Sequence, residues 1–98
     1  MRLVITQTAR SDLKRIGSYT REKWGAAQEK RYLAAIRERF AILRGRPTLG
    51  RVRSEIGNYR SLLVGQHAIF YRVSENSVVI IRVLHQQMDL KAHLPDRS

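Results

Sequence analysis

Three apolar, β-rich segments follow one another closely in the second half of the chain. They occupy residues 59–64, 67–73 and 77–84, and connections of only two and three residues separate them. Connections this short reverse the direction of the chain, because a parallel pair needs a crossover of a dozen or more residues. The sequence therefore predicts an antiparallel meander of three strands in this region.

The first half of the chain has the pattern of a strand followed by two helices. Residues 2–6 are rich in β-branched side chains, which favours a strand. A first helix then ends at Gly25, and its predicted buried face recurs at three- and four-residue steps in Ala9, Leu13, Ile16, Thr20 and Trp24. A second helix over residues 26–44 has a similar stripe in Leu33, Ile36, Phe40 and Leu43. Gly25 as the hinge predicts an antiparallel helical hairpin.

These elements predict an α+β fold with the order β-α-α-β-β-β. The N-terminal helical hairpin should pack on one face of a mainly antiparallel sheet, followed by a short C-terminal tail. We assign residues 1–98 to a single domain, with residues 95–98 as a frayed end. Residues 45–53 are expected to form an arginine-bearing loop between the helices and the meander.

The last two strands are apolar on both faces, although one layer of helices can cover only one face. Strict alternation would place Phe70, Val78, Ile80 and Leu84 on the side away from the helices, together with Arg72 and Arg82. A tail of about ten residues looks too short to cover that side, so we expect another protein chain to cover it. The arginines of the three strands, which are Arg60, Arg72 and Arg82, would meet carboxylates on that partner.

The charge of the chain also indicates an anionic partner. It has 19 Lys and Arg against 8 Asp and Glu, a net charge of +11, and 15 of the 19 basic residues are Arg. Few aromatic side chains stand among the basic ones, so we expect a solvated basic face and no direct nucleic-acid binding. Cysteine is absent, which excludes disulfides and fits a cytoplasmic setting, and no apolar run is long enough to predict a membrane span.

Two histidine patterns are candidates for chemistry. His85, Asp89 and His93 are spaced four apart and would form one stripe on a helix, but the tail is barely long enough for one and no further ligand is nearby. We therefore predict no metal and no cofactor. His85 alone follows the last strand, and with Arg60 and Arg82 it could serve as the acid or base of an RNA-cleaving site. No partner for such a proton transfer is recognisable in the sequence.

Several segments together resemble a known family over residues 2–94. They are Leu13-Lys14-Arg15-Ile16, Tyr19-Thr20 with Trp24-Gly25, Pro47-Thr48-Leu49-Gly50-Arg51, Tyr59-Arg60-Ser61, Ala68-Ile69-Phe70-Tyr71-Arg72, Arg82-Val83-Leu84-His85, Met88-Asp89 and His93-Leu94. In their order they are similar to the ParE toxins within the wider RelE/ParE toxin superfamily. No single motif among them is decisive.

The resemblance implies the toxin of a type II toxin–antitoxin pair, wrapped and neutralised by a ParD-like antitoxin. ParE relatives poison DNA gyrase without catalysis, whereas RelE-type relatives cut messenger RNA on the ribosome, often with a tyrosine near the C-terminal strand. No tyrosine follows Tyr71 here, which favours gyrase poisoning and a non-enzymatic toxin over the RNase alternative of His85, Arg60 and Arg82. The residues expected to bind antitoxin or target are Arg60, Phe70, Arg72, Val78, Ile80, Arg82, Leu84 and His85.

Overall fold

The structure is a computed structural model, and it describes residues 1–88 and 90–94. The helices are α1 (Gln7–Trp24), α2 (Ala26–Gly45) and α3 (Leu90–His93), and a 3-10 turn spans Ser54–Ile56. The strands are β1 (Arg2–Ile5), β2 (Arg51–Val52), β3 (Arg60–Val64), β4 (His67–Val73) and β5 (Ser77–His85). The element order confirms the predicted helical hairpin followed by a meander, and adds the two-residue strand β2 inside the predicted loop.

The five strands form one sheet in the order β1-β5-β4-β3-β2. β1 runs parallel to β5, and every other pair is antiparallel. The helical hairpin carries the chain from β1 at one edge of the sheet to β2 at the other edge, and the antiparallel strands then lead back and place β5 beside β1. The α+β class with helices on one face of a mainly antiparallel sheet is therefore confirmed.

Local signals set the helix boundaries. The hydroxyl of Thr6 accepts a hydrogen bond from the Ala9 amide at 3.1 Å and so caps α1. Gly25 separates the helices with φ of 93°, a conformation that side-chain-bearing residues rarely adopt. The predicted stripe of α2 is buried at Ile36, Phe40 and Leu43. On α1 the stripe is buried only as far as Thr20, and the prediction that Trp24 is buried is wrong.

A β-bulge in β5 changes which side chains share a face. Phe70 of β4 pairs with Arg82, but the next residue, Tyr71, pairs with Ile80, so Ile81 is an extra residue. Val78 and Ile80 therefore lie beneath the helices, with no exposed surface, rather than beside Phe70 and Leu84 on the other side. Their prediction as partner-binding residues was wrong, because strict alternation does not hold across a bulge.

The side of the sheet away from the helices is closed by the chain itself. A second cluster, which we call the outer cluster, consists of Tyr59, Ala68, Phe70, Leu84 and Leu94, flanked by Ile56, Ile81 and Leu90. Residues from the loop before β3 and from the C-terminal segment 90–94 cover the strands, and the Arg53 guanidinium lies 5.7 Å from the Phe70 ring centroid. Phe70 and Leu84 are therefore buried in the single chain, and the expectation that this face needs a partner was wrong.

Among residues 1–88 and 90–94, no helix has the length and apolar character required to cross a lipid bilayer.

Candidate partner-binding site

The predicted partner-binding arginines are bound to groups within the chain. Arg82 donates two hydrogen bonds to the carboxylate of Asp12 on α1, both at 2.8 Å, and a third to the His93 carbonyl at 2.7 Å. The Asp12 carboxylate is almost fully buried, accepts a further bond from the Val83 amide at 2.9 Å, and also pairs with Arg15. Asp12 raises the pKa of Arg82 through its hydrogen bond to the guanidinium. This network fastens α1 to β5 beside the bulge.

The other two arginines hold loops. Arg60 donates to the Gly50 carbonyl at 2.8 Å, and Arg72 donates to the Asn58 carbonyl at 3.0 Å. The Arg72 guanidinium also lies 4.5 Å from the centroid of the Tyr59 ring, a cation–π contact that helps to close the outer cluster. Neither guanidinium is presented as a free clamp for an external carboxylate.

The three residues of the RNase alternative are not brought together. Arg60 on β3 pairs with Tyr71 of β4, whereas His85 on β5 pairs with His67, which lies four residues before Tyr71 on β4. Four residues of strand span about 13 Å, and the Arg82 guanidinium is bound to Asp12.

The predicted metal-binding stripe of His85, Asp89 and His93 includes Asp89, which lies outside the described residues. Within the described residues, no group of three His, Cys, Asp or Glu is arranged to hold a metal.

An open groove lies where the hinge end of the helical hairpin meets the β3–β4 turn and the end of β5. We call it the aromatic groove, and it has a volume of about 430 Å³. Its lining residues are Tyr19, Thr20, Trp24, Gln28, Tyr32, Gln66, His67 and His85. A smaller hollow of about 150 Å³ adjoins it and adds Asp12, Arg15 and Met88, among others. His85 is the residue of the predicted partner-binding set that lines the groove, while Leu84 contributes to the hollow.

Two exposed aromatic side chains form one wall of the groove. Trp24 is 64% exposed and Tyr19 is 55% exposed, although both are large and apolar. Their rings meet edge to face, with centroids 6.2 Å apart and planes at 72°. The Lys23 ammonium lies 5.8 Å from the centroid of the Tyr19 ring. These contacts give the exposed wall a defined shape.

The opposite wall is formed by the phenol of Tyr32, which is hydrogen-bonded to the imidazole of His67, and by the imidazole of His85, which packs against the His67 ring. The Tyr32 hydroxyl lies 2.6 Å from Nδ1 of His67 and accepts a hydrogen bond from the Gln66 amide at 3.0 Å. Gly65 allows this approach, because a Cβ there would lie 2.6 Å from the Tyr32 ring. The His67 and His85 rings meet edge to face, with centroids 5.4 Å apart.

The environment of this wall favours uncharged groups. Burial, reinforced by the charge of nearby His85, lowers the pKa of His67, and Asp12 opposes that shift only in part. Burial also raises the pKa of the Tyr32 hydroxyl. Nδ1 of His85 accepts a hydrogen bond from the Gln87 amide at 3.2 Å. The groove therefore presents apolar surface and neutral hydrogen-bonding groups, with cations at its margin.

A family model described as the ParE toxin of the type II toxin–antitoxin system, parDE, matches residues 3–90 of the chain. The chain belongs to the ParE toxin family. Toxin ParE1 of Mycobacterium tuberculosis is 35% identical over 95 residues, which cover 95% of this chain and 97% of the relative. The family resemblance based on the order of short segments along the chain is thus confirmed, and the family consists of type II toxins.

Solved structures support the same conclusion about the fold. A structure of the chromosomal ParDE system from P. aeruginosa has a TM-score of 0.78 at 24% identity, covering 87% of this chain and 95% of that one. The RelBE2 toxin–antitoxin complex from Mycobacterium tuberculosis has a TM-score of 0.65 at 30% identity, with 87% and 96% covered. Both solved relatives come from toxin–antitoxin systems.

Sequence reasoning missed most of the aromatic groove of this ParE-family chain. The helical stripe predicts a buried Trp24, and the sequence pattern indicates no role for Tyr19 or His67. The polar residues before Trp24 give no signal of its exposure, because Leu13 of the same helix also follows three polar residues and is buried.

Proposed function

We propose that this chain is a toxin that poisons DNA gyrase and is held inactive by a ParD-like antitoxin. The match of residues 3–90 to the ParE family is the observation that carries this proposal. We further propose that the toxin works by binding and not by catalysis. In support, His85, Arg60 and Arg82 do not assemble into a cleavage site, and each of the two arginines is bound within the chain.

An antitoxin partner is supported by two independent features of the chain. Its net charge of +11 favours association with an acidic protein. Exposed Tyr19 and Trp24 are of the residue types that dominate protein–protein binding energy. The ParDE and RelBE2 systems to which the solved relatives belong make a toxin–antitoxin pair the natural assembly to test.

The gyrase proposal is tested with purified components. The chain is added to DNA gyrase and supercoiled plasmid, with and without the antitoxin encoded beside its gene. We expect accumulation of protein-linked double-strand breaks, and we expect equimolar antitoxin to prevent it. In cells, expression should give filaments and DNA-damage signalling before translation slows.

The RNase alternative predicts a different order of events. Translation should stop first, and His85→Ala should abolish toxicity, because an acid–base group cannot be replaced by a methyl group. If translation stops first, and that variant is harmless although it is folded, the gyrase proposal is wrong. Persisting toxicity of His85→Ala with continuing translation would instead remove the enzyme hypothesis.

A further inference from the structure

We infer that the aromatic groove is the binding site for the antitoxin. It binds an acidic segment of the antitoxin, and this segment inserts an apolar side chain beside Tyr19 and Trp24. This inference rests on the antitoxin half of the proposed function, and it moves the binding surface away from the sheet face that the sequence suggested. That face is already filled by Leu94 and its neighbours in the outer cluster.

The first argument is the exposed apolar surface. Tyr19, Trp24 and Met88 are all large and exposed, and all three line the groove or its adjoining hollow. Large apolar side chains gathered at one concave site are a mark of a binding surface, whereas single ones scattered elsewhere are not. Leu63, exposed to a similar degree at 58%, lies on β3 outside the groove and provides a natural comparison.

The second argument is charge. Among the residues that line the groove and the hollow, Asp12 is the one acid, and its carboxylate is buried against Arg82. Exposed cations stand at the margin instead, with Arg15 in the hollow and Lys23 over the Tyr19 ring. A second copy of this chain would bring another charge of +11 to the same place. An acidic segment is the occupant that this distribution fits.

The third argument is preorganisation. The edge-to-face contact of Tyr19 with Trp24 and the Tyr32–His67 hydrogen bond fix both walls before any partner arrives. A binding surface that is ordered in the free protein loses little side-chain entropy on association. Gln66 and the two imidazoles add polar groups that can bind the backbone of an extended or helical segment.

The decisive measurement is the affinity of the purified antitoxin for groove variants. We expect Tyr19→Ala combined with Trp24→Ala to raise the Kd at least about 30-fold, as the loss of a binding hot spot does. Leu63→Ala removes an equally exposed side chain elsewhere and should change the Kd less than about 3-fold. Circular dichroism and the urea midpoint verify that both variants fold.

A charge-reversal pair tests the acidic character of the occupant. Lys23→Glu and Arg44→Glu each reverse a cation in the last turn of a helix, so both lose the same favourable interaction with the helix dipole. We expect Lys23→Glu to weaken antitoxin binding about 10-fold, by slowing association and lowering its salt dependence, and Arg44→Glu to have a much smaller effect.

The possible outcomes distinguish a failure of this inference from a failure of the proposed antitoxin partnership. If the wild-type chain does not bind the antitoxin, the antitoxin half of the proposed function fails together with the inference. If it binds, and the double groove variant binds equally well, the inference alone is overturned. The inference also falls if the double variant keeps its antitoxin affinity but loses toxicity or DNA-oligonucleotide binding, since the groove would then serve the target or a nucleic acid.

Discussion

The outer cluster and the aromatic groove are both built from large apolar side chains next to β5, yet one is closed and the other is open. Leu94 and Tyr59 cover Phe70 and Leu84, so the cluster is complete within one chain. The groove receives no such cover, and Trp24 keeps most of its surface exposed. The contrast teaches that apolar composition alone does not identify a binding face, because short segments of the same chain can cover it.

The largest expected effect separates the two regions by stability. Phe70→Ala should lower the free energy of unfolding by about 4 kcal/mol, because it leaves a cavity in a packed cluster. Trp24→Ala removes a larger side chain but should cost less than about 0.5 kcal/mol, since the indole is mostly in water. Urea unfolding of both variants measures the difference. Equal losses of unfolding free energy in the two variants would show that Trp24 is packed in solution, and would contradict the contrast between the closed cluster and the open groove.

The buried carboxylate of Asp12 lies between the two regions, lining the hollow while holding Arg82 of β5. Asp12→Ala should cost about 3 kcal/mol, because it leaves the Arg82 guanidinium largely buried without its counter-charge. Arg15→Ala removes the exposed partner of the same carboxylate and should cost less than about 1 kcal/mol. Denaturant titration of the two variants distinguishes them, and a loss for Arg15→Ala as large as that for Asp12→Ala would contradict the assignment.

Closure by the C-terminal segment is tested at Leu94. Leu94→Ala should lower the free energy of unfolding by about 2 kcal/mol, toward the lower limit for buried leucines, because Leu94 is the most exposed of the buried residues in the outer cluster. Met88→Ala, which changes an exposed residue shortly before that segment, is the control. A change no larger than that of the control would mean that the segment does not close the cluster in solution.

The smallest effect is a pH dependence located in the groove. The lowered pKa of His67 means that the unfolded chain takes up a proton there before the folded chain does. The resulting stability is complete above the ordinary histidine pKa of about 6.5 and is lost as the pH falls from there through the lower folded pKa. One proton limits the slope to about 1.4 kcal/mol per pH unit.

In that window, His67→Gln should flatten the plot of unfolding free energy against pH relative to wild type. Unfolding titrations at closely spaced pH values from 7.5 to about 4.5 measure both slopes. Parallel curves for the two proteins would show that His67 is not held neutral by its surroundings, and the description of that groove wall as neutral would then need revision.

Much of the fold could be predicted because its signals are local. The spacing of Ile36, Phe40 and Leu43 defines the buried face of α2, and the short connections define the meander. The bulge at Ile81 could not be predicted, because the residue types in β5 do not show which residue lacks a pairing partner. Beyond that residue, the side chains point to the opposite faces from those that strict alternation predicts. The paired strand Arg51–Val52 was missed because two residues carry no periodicity.

The site was predicted less well than the fold, because it depends on contacts between distant residues. Nothing in the local sequence shows that Arg82 is paired with Asp12, 70 positions away. Helical spacing gives the direction of Trp24 but not whether another element extends far enough to cover it. The sequence predicts His85 as a candidate from its position at the end of a strand, and this residue, the last of β5, does line the groove. Its neighbour His67 becomes apparent only from the strand register.

Strand β5 also ties the molecule together as a cooperative unit. Its side chains point alternately to the two faces outside the bulge, so a single strand supplies Val78, Ile80 and Val83 to the layer under the helices and Leu84 to the layer under the C-terminal segment. Neither layer can separate from the sheet without disturbing a strand on which the other depends. The helical hairpin and the chain terminus should therefore melt in one transition, which leaves few partly opened forms for a cellular protease to cut.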